Sequence, residues 1–119
     1  MTVHETLLMA LDGLAPKVGR YPLDEIAETY IAWMEIIARP VTASNRWSRV
    51  QHTLQVDLYS QRPLDTLLPI VLHRLRMAGC AVVDWGPETY EKDTRYRHIP
   101  ITLRLVTDEQ NIDDTSEEV

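Results

Sequence analysis

The fold is decided by the segment VQHTLQVDLYS, which occupies residues 50–60. Apolar and polar side chains alternate along it, so that Leu54 and Leu58 share one face while Gln55 and Asp57 share the other. A period of two over this length is typical of a β-strand with one face buried and one face exposed. We therefore predict a long, half-buried strand here, and the rest of the chain is interpreted around it.

The predicted strand covers Trp47–Tyr59, and a second alternating segment predicts the last strand at Tyr96–Val106. Between them, Leu64–Ala78 carries a wide apolar stripe at helical spacing. Gly79 follows at the position where a left-handed residue ends a helix. Pro69 is compatible with this helix only within its first turn, which makes Asp65 the expected N-cap.

The remaining segments have shorter or less regular patterns. Residues 2–14 predict a short amphipathic helix, in which Thr2 and Glu5 form a capping box. Residues 24–38 fit a helical face and strand composition equally well, and periodicity alone leaves both open. We also predict a loop at residues 16–23, a turn or hairpin tip at Pro40–Asn45, a short strand at Cys80–Asp84 and a polar loop at Glu88–Arg95.

Length and charge limit the function classes. A chain of 119 residues predicts one α/β domain, residues 1–107, followed by an acidic, disordered tail, residues 108–119. All 12 basic residues precede the tail, so the net charge of −6 resides in the tail and the body is neutral. A neutral body argues against specific nucleic-acid binding. No apolar run suits a membrane span, and the N-terminus lacks a secretory signal pattern.

Few side chains in the sequence suggest chemistry. His52 and His98 could meet across neighbouring strands with Asp57 nearby, but the simpler interpretation is a solvent-facing or edge imidazole on each strand. Cys80 could pair with His73 as a nucleophile, yet it follows a helix C-terminus and more simply packs as a small apolar residue. The carboxylates Glu88, Glu91 and Asp93 lie among basic residues and are interpreted as a solvated loop with weak ion pairs. We predict no catalytic, metal-binding or cofactor-binding residue.

Aromatic and arginine side chains are the candidates for protein contacts, since this pairing is favoured at interfaces. Trp47 is flanked by arginines near the predicted hairpin tip, and Trp85 lies at a turn. Each can also be read as covering the sheet or the edge of the core. The predicted oligomer or partner contacts are Arg46, Trp47, Tyr59, Trp85, Tyr90, Arg95, Tyr96 and Arg104.

Several segments together resemble a known family. The strand ending Val56-Asp57-Leu58-Tyr59-Ser60 is followed by a helix ending Ala78-Gly79 and by the loop Glu91-Lys92-Asp93-Thr94 before the last strand. Over about Leu7–Val106 the chain is similar to the tail completion or tail terminator (head–tail joining) proteins of long-tailed bacteriophages and prophages. This resemblance also favours a strand at Thr29–Ile37. The acidic tail and Pro69 depart from the family pattern.

The resemblance implies a mostly antiparallel sheet of about four strands with two helices packed on one face. It further implies a subunit that assembles with copies of itself into a six-fold ring at the tail end or neck of the virion. The implied partners are the tail tube protein and the head connector or head-closure protein, with DNA passing through the ring. No cofactor, catalytic residue or membrane comes with the family, and synthesis would take place in the host bacterial cytoplasm.

Two other functions remain open from the residues alone. A small cytoplasmic ligand-binding or regulatory domain with a ferredoxin-like α/β fold has the same strand–helix–strand order. An enzyme acting through Cys80 or the loop at Glu88 is the third hypothesis.

Overall fold

The computed structural model describes residues 1–43 and 46–108, except for the side chains of residues 42–43 and 46–48. It is a mixed α+β fold with two helices and one six-stranded sheet. The elements in chain order are α1 (Val3–Leu11), β1 (Lys17–Arg20), β2 (Thr29–Ala43), β3 (Arg46–Ser60), α2 (Leu67–Met77), β4 (Ala81–Trp85), β5 (Thr89–Tyr90) and β6 (Arg97–Asp108).

The strands lie in the order β1-β2-β3-β6-β4, and β5 pairs with β6. The long strands β2, β3 and β6 form antiparallel ladders, whereas the short β1 runs parallel to β2. The alternating segment that opened the sequence analysis is thus the central strand of the sheet. Its predicted antiparallel pairing with the preceding strand is confirmed.

One core joins both helices to one face of the sheet, which we call the inner face. Leu54, Val56 and Leu58 of β3 and Leu7 and Leu75 of the two helices are fully buried in it. Because side chains alternate along a strand, the odd-numbered residues of β3 from Arg49 to Tyr59 point to the outer face, on which no helix of the described residues lies. The predicted placement of both helices on one face is confirmed.

Helix α1 begins as the sequence indicated. The hydroxyl of Thr2 accepts a hydrogen bond from the amide of Glu5 at 3.2 Å, and the carboxylate of Glu5 accepts one from the amide of Thr2 at 2.8 Å. The hydrogen bond from the Thr2 backbone, followed by one from its side chain, favours the ionised carboxylate and lowers the pKa of Glu5. The capping box is therefore confirmed, although the regular helix ends at Leu11 rather than near residue 14.

Helix α2 begins one residue later than expected. Its N-cap is Thr66 rather than Asp65, and no side chain caps the end. Pro69 lies in the first turn, where the missing N–H has no helical acceptor to lose. Gly79 has the predicted left-handed conformation, with φ of +92°.

The described residues form six strands instead of about four. The two short ones were predicted as loops: β1 lies in residues 16–23 and β5 lies in Glu88–Arg95. Each pairs with part of a longer strand: β1 pairs with Tyr30–Trp33 of β2, and β5 pairs with Arg97–His98 of β6. Such pairing depends on tertiary contacts that the local sequence does not encode.

The predicted turn at Pro40–Asn45 is also wrong for its first part, because β2 continues to Ala43. Pro40 pairs with Val50 of β3 on one side, and no other strand of the described residues lies on its other side. Proline is tolerated at such an edge because its missing donor interrupts no ladder. Ser44 and Asn45 lie outside the described residues, as do residues 109–119 of the predicted tail, while Asp108 ends β6.

The β2–β3 hairpin extends well beyond the helices. Both of its strands are 15 residues long, and β1 pairs only with Tyr30–Trp33. Beyond that point even inner-face residues such as Ala38 and Pro40 are exposed. We call the part of the hairpin from Met34 onward the arm, and the unpaired side of Met34–Val41 the free edge of β2.

Candidate functional site

The outer face of the sheet carries an aromatic stack at the base of the hairpin. The rings of Tyr30 and Tyr59 are parallel with centroids 4.7 Å apart, and the imidazole of His98 stacks on the other side of Tyr59 at 4.5 Å. The ring of Tyr96 meets Tyr30 edge-on at 5.4 Å, and its hydroxyl donates to the carbonyl of Ala27 at 2.7 Å. The stack arises because Tyr30, Tyr59 and His98 are opposite one another on three adjacent strands.

A buried carboxylate lies next to this stack. Asp57 is only 3% exposed although it points to the face without helices. Its Oδ1 accepts hydrogen bonds from Nε2 of His98 at 2.7 Å and from Nε2 of Gln55 at 3.0 Å. These donors offset the cost of removing the carboxylate from water. We call Tyr30, Asp57, Tyr59, Tyr96 and His98 the outer-face cluster.

The cluster changes the acidity of its tyrosines. Burial and the nearby charge of Asp57 raise the pKa of Tyr59 to about 12. Burial, followed by the neighbouring Tyr96, also raises the pKa of Tyr30. Both phenols therefore stay neutral at physiological pH and serve as hydrogen-bonding aromatic surface rather than as bases.

His52 lies elsewhere, in the inner face of the arm. It is 1% exposed, its Nδ1 contacts Oε2 of Glu35, and its Nε2 lies 2.8 Å from the hydroxyl of Thr107. The three residues belong to β3, β2 and β6, so they join the three long strands of the sheet. The expected solvent-facing imidazole is wrong for His52.

The predicted meeting of His52 and His98 does not occur. His52 is opposite Leu105 and His98 is opposite Tyr59, so they lie far apart along β6 and on opposite faces. Asp57 does reach His98, as the sequence allowed. In the described part of the chain no three metal-ligating side chains come together, and no helix there has the length and apolarity to cross a bilayer.

The candidate nucleophile Cys80 packs in the core. It is 5% exposed, and burial raises the pKa of its thiol to about 11. We expect Cys80 to resist iodoacetamide at pH 8 in the folded protein and to react readily in denaturant, as followed by intact mass. A Cys80→Ser, Met77→Cys variant, with its thiol at an exposed site of α2, is the reactive control. Equal alkylation rates for Cys80 and this control would contradict the assignment.

The carboxylate of Glu88 is held in place by two hydrogen bonds. Its Oε1 accepts a hydrogen bond from the backbone N–H of Leu64 at 2.8 Å, and its Oε2 accepts one from Nη1 of Arg97 at 3.2 Å. Arg97 also lies over the ring of Tyr90, 5.2 Å from its centroid. Glu88 therefore links the segment before α2 to β6, which is more than the weak loop pair expected from the sequence.

The predicted contact residues occupy three regions. Tyr59 and Tyr96 belong to the outer-face cluster, and Arg104 is exposed on the same face of β6. Trp85 and Tyr90 are 45% and 52% exposed on the side of β6 opposite β3, and Arg95 is exposed in the turn before β6 with φ of +63°. Arg46 and Trp47 lie in the backbone of β3 at the end of the arm, and their side chains are outside the described residues.

The sequence analysis missed an apolar surface on the arm. Met34, Ile36, Ile37 and Val41 of β2 are between 37% and 53% exposed. We call these four residues the arm patch. Val83, Trp85 and Tyr90, at the other end of the sheet, form what we call the β4 patch, and Val83 is 47% exposed. The signal for the arm patch was the density of aliphatic residues in a strand that has too few neighbours to bury them.

Comparisons with known proteins give one kind of match. No model of a protein family matches the chain, and no curated protein matches it. Among solved structures, a chain from "Virion of native gene transfer agent (GTA) particle" is similar with a TM-score of 0.49 and 10% sequence identity. The similarity covers 86% of this chain and 84% of that one.

Proposed function

We propose that this chain is a non-enzymatic structural subunit of a phage or prophage particle. Its role would be that of a tail terminator or tail completion protein, six copies of which close into a ring that caps the tail tube and joins it to the head connector. The segments Val56–Ser60 and Glu91–Thr94, which resemble that family, support this assignment. In the fold they form the end of the central strand and the turn that leads into β6.

The observation that carries the proposal is the presence of two different apolar surfaces at opposite ends of one sheet. The arm patch lies on β2, and the β4 patch lies beyond β6. A ring requires a heterologous contact, in which one surface of each copy meets a different surface of the next. A chain with two separated apolar patches is suited to that arrangement. A two-fold dimer formed around one of the patches would leave the other patch exposed to water.

The shape of the subunit also supports a ring with a projecting part. The molecule measures 51 × 28 × 23 Å, and its long dimension fits the two 15-residue strands of the hairpin. We propose that Arg46 and Trp47, whose backbone lies at the end of the arm, contact a different protein, such as the tail tube protein or the head connector. The neutral body suits a ring through which DNA passes without sequence-specific contacts.

The test is the oligomeric state of the purified protein, measured by native mass spectrometry alone and with tail tube protein. We expect a closed species of six copies, seen as a ring in negative-stain images. Val83→Lys should shift the population to monomers, because it places a charge in the β4 patch. Ile70→Lys is the matched control, since Ile70 is 48% exposed on α2 and belongs to neither patch. A strict monomer under both conditions would count against the proposal.

A further inference from the structure

We infer that the free edge of β2 receives strand β4 of a second copy of this chain, which adds to the sheet as an antiparallel strand. The inference rests on the proposed ring and names the contact that closes it. It concerns the backbone of Met34–Val41 on one copy and of Ala81–Trp85 on the next. The resulting sheet would run from subunit to subunit.

The first reason is that β2 and β4 each have a stretch of edge that no described strand pairs with. In the described residues, β1 covers β2 only as far as Trp33, so alternate N–H and C=O groups of Met34–Val41 face outward without a strand partner. At the other end of the sheet, β4 pairs with β6 on one side, and no described strand lies on its second side. Long open edges that carry aliphatic residues are sites where another strand adds.

The second reason is direction. β2 is antiparallel to β3, β3 to β6, and β6 to β4, so β2 and β4 of one subunit run in opposite directions. A copy carried around a ring axis without being inverted keeps its strand directions. Its β4 therefore arrives antiparallel to β2 of the neighbour, which is the more favourable ladder.

The third reason is the position of the two edges along the strand direction. We call two residues level when they belong to the same row of paired residues across the sheet. Following the ladders across β3 and β6, Trp85 is level with Trp33, and Ala81 is level with Ile37. The free edge of β2 begins at Met34, directly after the last residue paired with β1. Asp84 is level with Met34, so a neighbour related by rotation alone presents Ala81–Asp84 beside the first open residues of β2 with no shift along the strands, while Trp85 lies next to Trp33 at the end of β1.

The fourth reason is the match of two β-bulges. Ile36 is the extra residue of β2, and Val83 is the extra residue of β4. Ile36 lies between the rows of Glu35 and Ile37, and Val83 lies one row away, between the rows of Val82 and Asp84, so each strand has one extra residue between the Ile37–Ala81 row and the Met34–Asp84 row. Because the two strands have the same number of residues over this span, the outer-face residues of one remain next to the outer-face residues of the other, and the apolar Ile36 is opposite Val82.

Amide hydrogen exchange read by mass spectrometry tests the inference on the full chain. The protein is compared as a dilute monomer and as the assembled ring. We expect the open amides of Met34–Val41 and of Ala81–Trp85 to exchange at least tenfold more slowly in the ring. Amides of α2 serve as the internal control, because that helix lies outside the proposed contact and should exchange equally in both states.

A disulfide provides a second measurement. In a Cys80→Ser background, Ile37→Cys with Ala81→Cys should form intermolecular bonds on oxidation, giving a ladder of bands up to the full ring. The matched control joins Ile37→Cys to Ile70→Cys, which is equally exposed and should stop at dimers. Each single-cysteine variant should also stop at dimers.

The outcomes separate the inference from the proposed function. Slowed exchange at both edges supports the inference, and in that case the absence of the disulfide overturns only the unshifted register of Ile37 and Ala81. A ring in which either edge exchanges as fast as in the monomer overturns the inference and leaves the proposed function standing. A protein that forms no ring overturns both.

Discussion

Replacing Trp33 by alanine is expected to lower the free energy of unfolding by about 3–5 kcal/mol. The indole is 1% exposed and belongs to the core between the sheet and α1. Its Nε1–H donates to Nδ1 of His4 at 3.0 Å, so the substitution removes both packing and a hydrogen bond that joins helix and sheet. Urea denaturation followed by far-ultraviolet circular dichroism measures the change without depending on tryptophan fluorescence.

Trp85 provides a matched control within the same chain. It is 45% exposed at the edge of the sheet, and Trp85→Ala should change the free energy of unfolding of the monomer by only about 0.5 kcal/mol. The same variant should weaken ring formation, because Trp85 belongs to the β4 patch. Equal losses of stability for the two tryptophans would contradict the division between core and contact surface.

The strands that the sequence predicted well are those with a regular buried face. In β3 and β6 every second residue enters the core, and the alternation of Leu54, Val56 and Leu58 is a direct consequence. β2 was ambiguous because it is crowded with aliphatic residues on both faces, which is the composition of its exposed arm. β1 and β5 have no such pattern, since each is held by the backbone of one long neighbour.

The candidate site was predictable only in part. Asp57 and His98 were placed on polar strand faces by alternation, and their hydrogen bond follows from the register of β3 and β6. The stack of Tyr30 on Tyr59 depends on two bulges, one on each strand of the hairpin, that cancel so that the two rings are opposite each other. The local sequence contains no pattern that predicts either bulge, so the register of β2 with β3 could not be derived from it.

The burial of His52 was missed for a different reason. Glu35 follows Ile31 and Trp33 on the inner face of β2, and its carboxylate meets the imidazole there, which depends on the pairing of β2 with β3. An alternating pattern already placed His52 on the apolar face, but only the carboxylate and Thr107 explain how a polar ring is accommodated there. The cluster joins the arm to β6, so we expect the rigidity of the arm to depend on it.

Replacing His52 by leucine is therefore expected to cost about 2–3 kcal/mol of the free energy of unfolding. Leucine fills much of the imidazole volume, so the loss comes mainly from Glu35, whose carboxylate is three-quarters buried and would lose its partner. The same variant should speed amide exchange in the arm more than in the strands beneath the helices. Chemical denaturation gives the first quantity, and exchange read by mass spectrometry gives the second.

The double variant Glu35→Leu, His52→Leu is the decisive control. Replacing both partners of a buried polar pair with apolar residues removes the unsatisfied group, so its stability should return to within about 1 kcal/mol of the unaltered protein. Thr107 retains access to solvent at the end of β6, and its hydroxyl can bind water in either variant. If the two substitutions were instead additive, the contact between Glu35 and His52 would not be what stabilises the base of the arm.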